Sequence, residues 1–154
     1  MTTRPRPDDV EAIQDLINRS TLRGIEHHDL GATLTGRREP NEEEPAADLQ
    51  LELQHRCTSS EFGFRLVGTI TTEYGSAHAS VAATYDYDGP VPYERPLLGF
   101  GNEVAVMTIF PFFREALSSI TGRVFGEPIL LPVLERGSVG ADLDDTEDRP
   151  ALTG

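Results

Sequence analysis

The chain has 154 residues, 38% hydrophobic and 25% charged, with a net charge of −13 and arginine as its only strongly basic residue type. That length supports one domain with a real core, and the composition is not that of a disordered chain. So acidic a surface repels phosphate backbones and excludes nucleic acid as a natural partner. The single cysteine, Cys57, excludes an intrachain disulfide or a thiolate metal cluster.

Residues 1–7 are proline-rich and read as a disordered lead-in. MTTRPRPDDV has no apolar core segment of the secretory kind, and no run of about 18 apolar residues follows. Both observations predict a cytoplasmic protein with no direct membrane insertion. Asp8 and Asp9 favour a helix start, and Val10, Ile13, Leu16 and Ile17 recur at helical spacing, predicting a helix over about 9–19. Residues 21–34 alternate poorly and contain Gly24 and Gly31; a strand is the better reading. The stretch TGRREPNEEEPAA over 35–47 is a solvated loop.

From Asp48 the pattern sharpens. Leu49, Leu51, Leu53, His55 and Cys57 alternate with Gln50, Glu52, Gln54 and Arg56, the period of a half-buried strand. Phe62, Phe64, Leu66, Gly68, Ile70 and Tyr74 form a second such series, and Ala77, Ala79, Val81, Ala83, Tyr85 and Tyr87 a third. Short links between them predict an antiparallel meander. Its wet face would carry Glu52, Gln54, Arg56, Arg65, Glu73, His78 and Asp86.

The apolar face needs a cover. Asp88–Gly101 reads as a loop with three prolines, and Asn102 as the cap of a helix that runs to about Thr121 and ends at Gly122. Val106, Met107, Phe110, Phe113, Leu117 and Ile120 fall on one side of it. A second stripe of Val104, Thr108 and Phe112 has two readings: a subunit interface, or cover by the N-terminal helix. Pro111 costs about 3 kcal/mol in a helix interior. It either sets a bend that aims Phe110 and Phe112 at different neighbours, or lies in the first turn of a helix starting near Ile109. PILLPVL over 128–134 is apolar and bounded by prolines, so it suits a groove rather than a central strand. The acidic, Gly-containing residues 137–154 read as a disordered tail, leaving 8–136 as the domain.

No catalytic constellation survives inspection. His27 and His28 are adjacent and on a strand would face opposite ways. His55 and Cys57 continue a leucine stripe. The sequence contains no HExxH, nucleophile elbow or phosphate loop. The chain therefore reads as a non-enzyme, with surplus apolar surface of the kind that marks partners or self-association.

FPFFREALSSITGRVFGEPILLPV resembles the SecB family of export chaperones. Phe110-Pro111-Phe112-Phe113-Arg114-Glu115 stand at its F-P-Y-x-R-E motif, and Leu130-Leu131-Pro132-Val133 at its L-x-P-V segment. The resemblance implies an α+β fold, a four-stranded antiparallel sheet with a long C-terminal helix packed on it, oligomerising through the helices as a homotetramer, a dimer of dimers. Met107, Phe110, Pro111, Phe112, Phe113 and Leu117 are the residues expected in that core or interface. It implies an ATP-independent holdase for preproteins bound for export, with no nucleotide, metal or other cofactor. The client groove would run between loop 35–47 and the C-terminal segment, lined by Ile129, Leu131, Val133 and Leu134, with Ile25 beside them.

The departures are specific. Loop 35–47 has no aromatic residue, and where the family continues after the L-x-P-V segment in a longer apolar helix, Val133-Leu134 here run quickly into ERGSVGADL, so the groove shrinks. The positions that dock the motor SecA in the family hold His78 and Gly24; Glu52, Glu73 and Asp86 keep the face acidic without matching that pattern, so SecA follows only weakly. A dedicated chaperone for the antitoxin of a toxin–antitoxin system, or a non-chaperone homo-oligomeric adaptor, stand as alternatives.

Overall fold

The structure of the protein, a computed structural model, describes residues 7–37, 47–92 and 95–131. Residues 1–6, most of the 35–47 loop, Val133, Leu134 and the 137–154 tail lie outside the described residues. Pro7 opens the first helix, α1 (Pro7–Arg19). Strands β1 (Ser20–Leu34), β2 (Asp48–Cys57), β3 (Glu61–Thr72) and β4 (Gly75–Tyr87) follow, and then a helical run that begins at Arg95 and ends at Phe125.

The strands form a four-stranded sheet in the order β1-β4-β3-β2, antiparallel throughout. The predicted meander is β2-β3-β4, and β1 adds to its β4 side, which makes β1 and β2 the edges. Glu73 and Tyr74 form the β3–β4 turn rather than strand. Thr72 closes that turn, donating from Oγ1 to the Gly75 carbonyl at 3.0 Å and accepting from the Tyr74 N–H at 3.3 Å. The Tyr74 carbonyl takes the N–H groups of Thr35 (2.7 Å) and Gly36 (3.1 Å), pinning the exit of β1 to this turn.

Two bulges explain the poor alternation of β1. The register slips between Leu22 and Gly24 and between His27 and Asp29. A bulge inserts one unpaired residue and re-aims its side chain. The extra residues are Arg23 and His28, and both reach across the outer sheet face, away from the helix: Arg23 to Glu61 and Asp86, His28 to Glu26 and Arg65.

The covering helix is longer than its sequence suggests. It comprises α2 (Arg95–Phe100), a π-helical turn (Gly101–Ala105) and α3 (Val106–Phe125). Asn102 does not cap it; Asn102 is buried inside the π turn. Gly99 and Gly101, which read as helix breakers, are contact points. A methyl group on Gly99 would meet Ile13 Cγ1 at 3.0 Å, and one on Gly101 would meet Phe64 Cδ1 at 3.0 Å. Gly122 lies within the helix, and the left-handed Gly126 (φ 84°) ends it. The run of 31 residues is long and apolar enough to cross a membrane by length and composition, but its apolar residues are mostly buried on the sheet.

Val106, Ile109, Phe110, Phe113 and Leu117 bury against Phe62, Phe64, Leu66, Ile70, Val81 and Tyr85. Met107 departs from expectation. It lies one residue, about 100°, round from Val106. It is therefore on the outer side and 37% exposed, and Ile109 fills the core instead. Phe112 is 45% exposed, so α1 does not cover it; α1 packs on α2. Pro111 lies inside the helix on its exposed side, which overturns a start near Ile109. Its missing N–H leaves the Met107 carbonyl without an intrahelical partner, on the side where other donors can reach it.

Candidate functional site

Beyond Gly126 the chain reverses and runs back along α3. Thr121, fully buried, holds it: its hydroxyl donates to the Leu117 carbonyl at 2.7 Å and accepts the Ile129 N–H at 2.8 Å. Arg114 Nε donates to the Leu131 carbonyl at 2.6 Å. Both tethers join the 128–131 segment to the helix that carries Phe110–Glu115. The anchored strand-like segment then alternates. Ile129 is half-buried against the core and Leu131 is 5% exposed, whereas Leu130 between them is 66% exposed.

This reversal leaves a hollow of about 160 Å³ at the end of the sheet, lined by Ala47, Thr72, Tyr74, Glu127, Pro128, Ile129 and Leu130. Tyr74 stands edge-on to Phe125, with centroids 5.4 Å apart, so its ring is a fixed wall. The hollow lies between the end of the 35–47 connection and the segment after the helix. Its lining is mixed: Tyr74, Pro128, Ile129 and Leu130 supply apolar surface, and Thr72 and Glu127 polar surface.

Of the residues expected to line a groove, Ile129 is there. Leu131 belongs to the core, and Leu130 presents the apolar surface in its place. Ile25 is elsewhere: it pairs with Ala83, whereas the hollow adjoins Gly75. The intervening β4 residues span about 26 Å at the usual strand rise. Ile25 instead joins Leu22, Leu30 and Leu34 on the helix side of edge strand β1, where those three leucines are exposed. Tyr74, Thr72 and Pro128 are site residues that the sequence does not mark. Tyr74 reads in sequence as one more alternating strand residue, and only the turn at Glu73-Tyr74 makes it a wall.

Phe110, Phe113 and Leu117 face the sheet, and Met107, Pro111 and Phe112 face out. On the outer sheet face, Glu52 is exposed near Gln54 (3.4 Å). Glu73 is in the turn and not on the face, and Asp86 is engaged by Arg23, which also holds Glu61 at 2.6 Å. These carboxylates raise the Arg23 pKa above its ordinary value, chiefly through the Asp86 hydrogen bond. His78 pairs with Asp29 at 2.5 Å. Among the described residues no three His, Cys, Asp or Glu side chains come together as a metal site. Burial pushes the Cys57 thiol pKa up, the opposite of a reactive thiolate.

No protein-family model and no curated protein matches the chain in sequence. A solved structure does. The Mycobacterium tuberculosis Rv1957 SecB-like chaperone, in complex with a ChAD peptide from the Rv1956 HigA1 antitoxin, superposes with a TM-score of 0.71 at 23% identity, over 82% of this chain and 98% of that one. The fold is SecB-like. The expected α+β architecture, a four-stranded antiparallel sheet under a long C-terminal helix, is therefore present.

One expected outcome tests the tether. Thr121→Val keeps the shape and removes the hydroxyl, stranding the Ile129 N–H. Leaving a buried donor unpaired costs about 1–3 kcal/mol. Thermal unfolding should shift down accordingly, and the Ile129 amide should exchange at least about tenfold faster. Unchanged exchange would mean that the segment is held by side-chain packing alone.

Proposed function

We propose that this protein is an ATP-independent chaperone that binds unfolded polypeptide and holds it, as a homo-oligomer built through its helices. The observation that carries the reading is the hollow beside Ala47 and the 127–130 segment, with Tyr74, Ile129 and Leu130 in its walls, in a fold shared with a chaperone solved with a peptide bound. A holdase needs no cofactor: apolar side chains and backbone hydrogen bonding supply sequence-tolerant affinity.

Two client classes fit, preproteins kept competent for export and a dedicated antitoxin. The outer sheet face favours the dedicated client. Of the three carboxylates expected to dock an export motor, Asp86 is held by Arg23 and Glu73 lies in the turn, which leaves Glu52.

The first test is dilution of a denatured, slow-folding secretory precursor into near-stoichiometric protein without ATP, followed by light scattering. Suppressed scattering for unrelated substrates supports the holdase. Scattering unchanged for secretory precursors and antitoxins alike, with the protein folded and soluble, would reject it in favour of an adaptor. Within the holdase reading, Tyr74→Ala combined with Leu130→Asp should raise the concentration needed for half-suppression by at least about tenfold. An apolar side chain that a client buries fully is worth about 1.5–3 kcal/mol, and a tenfold change in affinity is about 1.4 kcal/mol. A titration superimposable on wild type would move the client site away from this hollow.

A further inference from the structure

The outer face of the sheet contains a cationic hollow in an otherwise acidic protein. Gly24, Thr84, Gly63 and Arg56 share one rung across β1, β4, β3 and β2. The next rung is Glu26, Ala82, Arg65 and Gln54. Side chains on these rungs stand away from the helix. The small residues at Gly63, Ala82 and Thr84 leave a hollow whose walls include Arg56, Arg65 and His28. Gly63 lets Arg56 lie down across the sheet: a methyl group there would meet Arg56 Nε at 3.4 Å and Cγ at 3.6 Å.

Neither arginine has a carboxylate partner among the described residues. Arg65 donates from Nε to the Gln54 amide oxygen at 2.8 Å and lies 3.5 Å from His28 Nδ1. Of the acids around the hollow, Glu26 lies 3.1 Å from His28, Glu61 and Asp86 share Arg23, and Glu52 accepts from the Gln54 amide at 3.4 Å. In a chain with 26 acidic residues against 13 arginines, two guanidinium groups here stand without a carboxylate contact over a floor of small residues. Guanidinium is planar, permanently charged and matched to carboxylate geometry.

We propose that this hollow is a docking site for an acidic segment of a protein partner. Arg56 and Arg65 hold a carboxylate, and the floor of Gly63, Ala82 and Thr84 receives the small apolar residue beside it. The site is on the sheet face opposite the helix and is independent of the holdase reading. Charge complementarity selects the occupant. Bulk charge repels acidic chains, so only a local cationic cradle can capture one, and capture must weaken with added salt.

The test uses the full-length, isotope-labelled protein and a blocked peptide of alternating glutamate and alanine. Its glutamine isostere and sodium sulfate serve as comparisons, and amide shifts are followed by NMR. The expected result is saturable shifts at Gly63, Ala82 and Thr84 with the acidic peptide, and at least about tenfold weaker binding of the glutamine peptide, the scale of a lost charge-assisted pair. Arg56→Gln with Arg65→Gln should weaken the acidic peptide similarly while amide dispersion elsewhere is retained. If that variant does not fold, the comparison of the two peptides on the natural protein decides alone. Three results would overturn the proposal: no shifts at these amides at millimolar peptide, equal binding of both peptides, or sulfate producing the same shifts with the same affinity, which makes the hollow a site for an adventitious ion only.

Discussion

Gly68→Ala is expected to destabilise the fold by about 1–3 kcal/mol, the usual cost of overpacking a filled core. Gly68 is on β3 under α3, paired with Leu51 and Ala79. A methyl group there would overlap the Phe113 ring and approach Leu51 Cδ2 to 2.8 Å. Phe113 is fully buried and stacks on Phe110 with centroids 6.2 Å apart, so its ring has no free space to yield into. Phe113→Ala leaves a hole instead and should cost about 3–5 kcal/mol, a large part of the roughly 5–15 kcal/mol that holds a typical domain together. Combined, the two changes relieve each other: the methyl fills part of the space the ring vacates. The double variant should be more stable than the sum of the single costs by at least about 0.5 kcal/mol, read from denaturant melts. Strict additivity would show that α3 does not rest on Gly68.

Most of this core is legible in the chain. β2, β3 and β4 alternate cleanly, because one face is buried under the helix and the other wet, and period two makes that visible. β1 is hard to read, since the bulges at Arg23 and His28 shift the phase twice within one strand. The helix start is obscured for a different reason. Gly99, Gly101 and Asn102 carry poor helix propensity, and tertiary contact overrides it: the glycines admit Ile13 and Phe64 side chains. The candidate sites are the least legible part. Tyr74 becomes a wall only through a turn and a ring contact with Phe125. Leu130 and Leu131 differ in exposure because tethers from Thr121 and Arg114 set the phase of an otherwise unpaired segment. The outer sheet face is legible as a set of charges but not as a network, since pairing across β1, β3 and β4 decides which charges meet.

Met107→Glu combined with Phe112→Glu is expected to break the proposed homo-oligomer into protomers with little change in protomer stability. In one chain both side chains are on the outer side of α3, 37% and 45% exposed, beside Pro111 and the half-buried Val104 and Thr108. An apolar patch on the outer side of a core helix is surface that a second copy would cover. In a two-fold interface each residue is used twice. The double change therefore withdraws four apolar side chains and places four carboxylates in one contact. At about 1 kcal/mol for each partly exposed side chain, the dimerisation constant should fall by at least about a thousandfold. Sedimentation velocity over a concentration series reads this directly, and circular dichroism melts check that the protomer stays folded, as surface changes usually allow within about 0.5 kcal/mol. A natural protein that sediments as a monomer would remove the interface outright. An oligomer that survives the double change would place the contact at the other uncovered apolar strip, Leu22, Leu30 and Leu34 on the β1 edge, where unpaired backbone groups offer a second copy a strand to pair with.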